Sequence, residues 1–248
     1  MANTRTRAQA RVRLTAGAAL LALMAGMPGC STREPASGSE HIELALSRSP
    51  QYDYEPPEPG TYSLPPVTPA AGGRVLNAAG ESLELRDLLR DRITILSFIY
   101  TRCKDPTACP TASGVLGLIQ SISEQDPELA ENLRLLTFSF DPDHDTPRVM
   151  AEYGTRLASR RKEASEWLFL TTERAADLEP ILEAYGQRVD RKKDPDDPMG
   201  PLFHMVRVYL IDREAMIRNI YSFGMLDPRL LLADVRTLLQ EEGNKADL

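Results

Sequence analysis

Two runs of eight residues, ITILSFIY at Ile93–Tyr100 and LRLLTFSF at Leu133–Phe140, are almost unbroken in β-branched, leucine and aromatic side chains. Runs that short and that continuously apolar suit strands buried on both faces, as in a sheet covered by helices on either side. The segment between them opens CPTASG and continues VLGLIQSISEQ. Pro110 suits a first helical position, and Val115, Leu118, Ile119 and Ile122 form one stripe, so a helix is expected there.

The rest of the chain alternates in the same way. Val75 to Leu85 reads as a hairpin turning near Asn77 to Gly80, followed by the short amphipathic run LRDLLRD. After the second apolar run, DPDHDTP turns the chain, with Thr146 as a helix cap and Pro147 opening a helix whose inward face is Val149, Met150, Tyr153 and Leu157. Trp167 to Leu170 is a short strand. Thr172 starts a helix carrying Leu178, Ile181, Leu182 and Tyr185, and Gly186 ends it. The charged, Pro-rich loop RKKDPDDPMG leads to strands at Val206–Ile211 and Ile217–Phe223. A last helix is capped by Asp227, opened by Pro228 and lined by Leu230, Leu231, Val235, Leu238 and Leu239.

This order, βα, βα, βα, ββα behind an N-terminal hairpin, predicts an α/β fold: a thioredoxin-like mixed sheet flanked by helices, with an N-terminal β-hairpin extension. A flavodoxin-like doubly wound sheet is the rival, and the adjacent strand pair near the end argues against it. No internal repeat or dinucleotide fingerprint is present.

At 248 residues, 42% hydrophobic, the chain suits one good core. The first 29 residues hold four Arg and no acid, leaving 25 basic against 36 acidic side chains, a net of −11. An acidic body without a clustered basic face argues against nucleic-acid binding. MANTRTRAQARVR, then the apolar LTAGAALLALMAG, reads as a signal peptide over residues 1–29, shorter than the roughly 20 residues a spanning helix needs. Gly29–Cys30 resembles the lipobox of bacterial lipoproteins, so Cys30 is the expected lipidation site; the alternative is simple cleavage that leaves Cys30 a free thiol. Either way the expected location is the extracytoplasmic side of a bacterial envelope, membrane-anchored if Cys30 is acylated, where thiols meet an oxidising environment. Residues 30–70, with seven Pro between Pro50 and Pro69, read as a tether. Tyr52, Tyr54, Tyr62 and Leu64 are suited to lie across the domain as a strap. The folded domain is expected over 71–242, with a tail at 243–248.

Cys103 and Cys109 fall between the strongest strand and the first long helix, at the carboxyl end of that strand, where ligands gather in such sheets. Cys109 at the helix N-terminus is expected to have a lowered pKa, because unpaired N–H groups and the dipole favour a thiolate. The five residues KDPTA allow the sulfurs to meet as a disulfide, a reactive pair or a shared metal site, and the spacing does not choose among these. His204, one of three histidines, stands at the entrance to the late strand in LFHMVRVYLI, whose start can approach the dithiol. Two thiolates and an imidazole make a soft set that suits Cu(I), and Cu(II) in a more tetragonal arrangement; Zn(II) would ordinarily take a fourth ligand. A lone histidine at a strand end is also a common hydrogen-bonded structural residue.

FIYTRCKDPTACP, SFDPDHDTP and HMVRVYLID resemble, in that order, the three signature blocks of the SCO1/SenC family, and WLFLT from Trp167 resembles it too. The likeness spans roughly Ala70 to Leu239. It implies a thioredoxin fold and a copper metallochaperone that delivers copper for the CuA centre of cytochrome c oxidase, with a subunit of that oxidase or another copper protein as partner. It also implies Cys103, Cys109 and His204 as copper ligands. Two departures stand out: the family's usual C-x3-C is C-x5-C here, and Phe203 and Met205 replace the Asp and Ser that flank the family histidine. An acidic neighbour helps orient a ligating imidazole, so its loss weakens that support. Met205 is expected to point opposite to His204, into the core. The rival activity is an extracytoplasmic thiol–disulfide oxidoreductase, in which Cys103 and Cys109 are the redox pair and the histidine need not bind metal. A third is an interaction domain stapled by a structural disulfide.

Asp141, Asp145 and Pro147 match the family's second block, and their expected work is turn formation and capping. His144 is expected to be solvated, and His41 lies in the tether. Arg156, Arg160, Arg161 and Lys162 read as a solvated helix end, and Lys192 and Lys193 lie in a loop leading toward His204.

Overall fold

A computed structural model describes residues 52–246, with side chains to Gly243. The expected signal peptide, Cys30, His41 and the first part of the tether lie outside the described residues.

The strands are β1 Thr68–Pro69, β2 Arg74–Asn77, β3 Ser82–Glu84, β4 Ile93–Ile99, β5 Leu133–Ser139, β6 Glu166–Thr171, β7 Val189–Arg191, β8 Leu202–His204, β9 Arg207–Ile211 and β10 Met216–Ser222. The helices are α1 Leu85–Leu88, α2 Cys109–Ser123, α3 Pro127–Asn132, α4 Pro147–Leu157, α5 Ala175–Ala184 and α6 Pro228–Ala246. Eight strands form one mixed sheet in the order β1-β10-β9-β4-β5-β6-β2-β3. β4, β5 and β6 run parallel; β9 runs antiparallel to β4, and the β2–β3 hairpin extends the sheet antiparallel to β6. This is the thioredoxin-like architecture that the order of elements predicts.

All seven residues of β4 are buried, as are six of the seven in β5. Their continuous apolar character thus matches a sheet covered on both faces. α2 packs on β4 and β5 and meets α4 and α6. On another part of the sheet, Tyr185 beyond α5 stacks edge-on against Phe98 and Tyr209 at centroid distances of 5.2 and 5.1 Å. A Cβ at Gly154 of α4 would stand 2.7 Å from the Phe169 ring, so only glycine lets α4 sit this close to β6.

Three features differ from the sequence reading. α3 is an additional short helix, capped by the Asp126 side chain accepting from Leu129 N–H. β7 and β8 form a separate two-stranded hairpin, so His204 ends β8 and does not lie on β9 of the main sheet. The strap lies across the domain as expected, and the third difference is that its tail enters the sheet as β1. Before that, Arg229 donates to the Tyr54 carbonyl at 3.0 Å, Gly60 N–H to Thr237 Oγ1 at 3.0 Å and Leu64 N–H to Glu241 Oε1 at 3.3 Å. The strap therefore runs the length of α6, from its first turn to its later turns.

Candidate metal centre

β4 ends at Ile99, and the loop it feeds carries Cys103; Cys109 opens α2. The five residues between them are folded locally. Asp105 Oδ1 accepts from Thr107 N–H at 2.9 Å and from its hydroxyl at 2.7 Å, and Ala108 N–H donates to the Asp105 carbonyl at 3.1 Å. That turn brings the second cysteine back over the first. Both thiols are free and buried, Cys103 9% and Cys109 2% exposed. Nε2 of His204 lies 3.6 Å from Cys103 Sγ and 3.5 Å from Cys109 Sγ. The three donor atoms lie within 4.8 Å of one another.

The imidazole is held by ring packing, edge-on to Tyr100 at 5.4 Å and tilted on Phe140 at 5.1 Å. Its other nitrogen, Nδ1, is buried without a hydrogen-bond partner. Tyr100 is itself buried and donates from its hydroxyl to the carbonyls of Met199 and Leu202, each at 3.4 Å. Lys104 N–H also donates to the Met199 carbonyl, at 3.2 Å. These bonds seat the 192–201 loop against the dithiol loop. Gly200 makes the contact possible: its φ is +103°, and a Cβ there would stand 2.2 Å from Tyr100 Oη.

The two thiols differ sharply in acidity. The hydrogen bond offered by Cys109 draws the Cys103 thiol well below its ordinary range against the opposing effect of burial, with His204 and the N–H groups of Cys109 and Asp105 adding to the lowering. Cys109 moves up instead, because it is the more deeply buried and faces the charge on Cys103. The sequence expectation, a lowered pKa at Cys109 from the helix N-terminus, is thus reversed: one proton remains between the sulfurs, and desolvation leaves it on the inner one.

A second cluster, Asp141, His144 and Asp145, also brings three donor atoms within 4.8 Å. Its carboxylates are already engaged. Asp145 is fully buried and accepts from Thr101 N–H at 2.9 Å, from the Thr101 and Ser139 hydroxyls, and lies 2.9 Å from His144 Nδ1. Asp141 takes an ion pair from Arg102 at 2.6 Å. The capping and turn role is present, with Thr146 accepting from Val149 N–H. Beyond it, the two aspartates bind both residues that precede Cys103, a link not legible from motif spacing. His144 is exposed, as expected, and its ring is also tied to Asp145.

Met205 does point away from His204, but to solvent at 44% exposure and not into the core, and Phe203 is 62% exposed. The reason is that β8 belongs to a two-stranded hairpin with only one covered face. Arg156, Arg160, Arg161 and Lys162 are exposed, and Lys192 pairs with Asp197 at 3.1 Å. No helix among the described residues is long and apolar enough to cross a membrane.

No curated protein matches the chain in sequence. Among solved structures, Arabidopsis thaliana ScoI with copper bound is similar at 18% identity and a TM-score of 0.58, covering 69% of this chain and 98% of that one. A SCO1/SenC family lipoprotein from Bacillus anthracis is similar at 19% identity and a TM-score of 0.57, covering 69% and 95%. Bradyrhizobium japonicum ScoI with copper bound is similar at 20% identity and a TM-score of 0.54, covering 68% and 98%. At these identities the likeness establishes the fold. The profile of the SCO1/SenC family matches residues 74–240, more than half of the sequence and the whole region that builds the dithiol and its histidine, and the chain belongs to that family.

Proposed function

We propose that this chain is a copper metallochaperone that binds Cu(I) through Cys103, Cys109 and His204 and passes it to a partner for assembly of the CuA centre of a respiratory cytochrome c oxidase. The observation that carries this reading is one imidazole nitrogen placed 3.6 and 3.5 Å from two free sulfurs. Bonds of the lengths zinc makes, about 2.3 Å to sulfur and 2.0 Å to nitrogen, opened to a trigonal angle would separate the nitrogen from each sulfur by about 3.7 Å. The donor set thus needs little rearrangement to close on an ion. Its softness favours Cu(I). Membership of the family supports the same reading, as do the copper-bound relatives.

Capture begins at Cys103, the ionised and less covered sulfur. Cys109 gives up its proton as the ion arrives, and His204 completes the set from the opposite side. Release reverses the order, with the partner's own soft ligands displacing the donors one at a time. The leader-like composition of residues 1–29 and the lipobox-like Gly29–Cys30 support a site of work on the extracytoplasmic face of a bacterial membrane, with lipidation at Cys30 as the proposed anchor. The experiment is an anaerobic Cu(I) titration against a competing chelator. One equivalent should bind tightly, and His204→Ala should weaken binding about 10-fold or more. Unchanged affinity in that variant removes His204 from the site.

A second reading, thiol–disulfide exchange, draws on the split acidity of the pair. The Cys103 thiolate attacks a partner disulfide, forming a mixed disulfide and expelling one partner thiolate; Cys109, deprotonated, then attacks Cys103 Sγ and releases the second. The partner leaves as a dithiol and this chain as the Cys103–Cys109 disulfide.

A further inference from the structure

Two buried polar atoms at the β7–β8 hairpin, one at the end of β8 and one two residues ahead of β7, lack partners: Nδ1 of His204, a donor once it carries the ring proton, and Oε1 of Gln187, an acceptor. The hairpin register relates them. Val189 pairs with His204, Asp190 with Phe203 and Arg191 with Leu202. Burial alternates along this ladder except at its far end, where Arg191 opposite Leu202 is exposed: Gln187, Val189, Leu202 and His204 are covered or half-covered, whereas Arg188, Asp190, Phe203 and Met205 are exposed. Carried past its last pair, the register sets Gln187 diagonally across from His204 on the covered face. Diagonal neighbours stand about 7–8 Å apart, within reach of a long side chain.

Gln187 is 3% exposed and anchored at both ends. Its backbone N–H closes on the Leu182 carbonyl at 2.8 Å, and its side-chain Nε2 donates to the Met205 carbonyl at 2.7 Å. The second bond fixes which end of the amide is which and leaves Oε1 as the unused acceptor beside the residue that follows His204.

Chemistry supplies the need for it. When Nε2 of a histidine binds a metal, the ring proton must sit on Nδ1, and ligating histidines generally give that proton to a carboxylate, a carbonyl or water. The residues on either side of His204, Phe203 and Met205, have no side-chain oxygen to take it. We propose that Gln187 is the positioning residue for His204: its Oε1 accepts the Nδ1 proton when Nε2 binds copper, fixing the tautomer and the plane of the ring. The inference rests on the copper-binding reading above. A glutamine two residues before the hairpin's pairing partner thereby does the work of an acidic neighbour on the histidine's own strand.

The test uses the purified protein, Cu(I), and the variants Gln187→Leu, which removes both amide ends, and Gln187→Lys, which keeps a donor for the Met205 carbonyl but offers no acceptor. Both should lower Cu(I) affinity 10- to 100-fold, in line with the usual loss of such partners. On Cu(I) loading of the unaltered protein, ring-nitrogen NMR should reveal a slowly exchanging proton on His204 Nδ1, and the Gln187 side-chain carbonyl carbon should shift. A role confined to holding the Met205 carbonyl would leave Gln187→Lys at full affinity and the carbonyl carbon unmoved, and that result overturns the proposal. The NMR readout decides the matter even if a variant fails to fold. If the unaltered protein takes up no Cu(I), the copper reading falls and this inference with it; if it binds Cu(I) and both variants bind equally well, only this inference falls.

Discussion

Cys103 and Cys109 are chemically identical and only five residues apart, yet their surroundings assign them different work. The outer sulfur receives the hydrogen bond and carries the charge; the inner one is desolvated and keeps the proton. The expected outcome is selective alkylation of Cys103. A thiol held well below its ordinary range stays ionised in mildly acidic solution, so its reactivity with iodoacetamide at about pH 6 should exceed that of a free cysteine, whose pKa is about 8.5. The rate should fall only as the pH drops through the acid range. Mass spectrometry of the modified peptide identifies the sulfur; preferential labelling of Cys109 would reverse the assignment. His204→Ala, which removes one of the smaller contributions, should raise the pH at which labelling of Cys103 is half-maximal without changing which cysteine reacts.

Secondary-structure elements bring the three donors together from separate parts of the chain. β4 and α2 were legible because their signals are local: a continuous buried run, then proline after the first helical residue and one apolar stripe. The β7–β8 hairpin was not. Each strand has only three residues, they enclose a charged, Pro-rich loop, and the register depends on contacts distant in sequence. The order of elements therefore sets His204 only at the entrance to the neighbouring strand, near the cysteines, and does not show that it ends a strand of its own. Gln187 could have been noticed through its alternation with Val189, but only with the pairing partner known. The same hairpin loop rests on the dithiol loop through Gly200, whose positive φ and closeness to Tyr100 exclude a side chain. Gly200→Ala should destabilise the fold by about 1–3 kcal/mol, read from urea unfolding. An unchanged midpoint would mean that the two loops part without cost.

At the scale of the whole molecule, the strap is part of the domain although its composition is that of a tether. Tyr62 Oη donates to Asp234 at 2.6 Å, and the same buried carboxylate accepts from Asn219 Nδ2 at 2.7 Å and from Tyr221 Oη. Arg218 reaches the Leu64 carbonyl while pairing with Asp212 and Glu241 at 2.9 and 2.8 Å. Leu64 is buried in the core. A chain beginning at Val67 should therefore be less stable than one beginning at Tyr52, on the order of 2–4 kcal/mol from one buried leucine and several hydrogen bonds. Equal unfolding midpoints would relegate the strap to a surface ornament. Its direction matters as well. Tyr54 is fastened beside Arg229, at the start of α6, which follows the β10 end that lies across β9 from the exit of β4. The strap thus joins the domain at the same end of the sheet as Cys103 and Cys109, so a force applied at Tyr54 would be taken up beside the donor cluster and not at the far edge of the sheet.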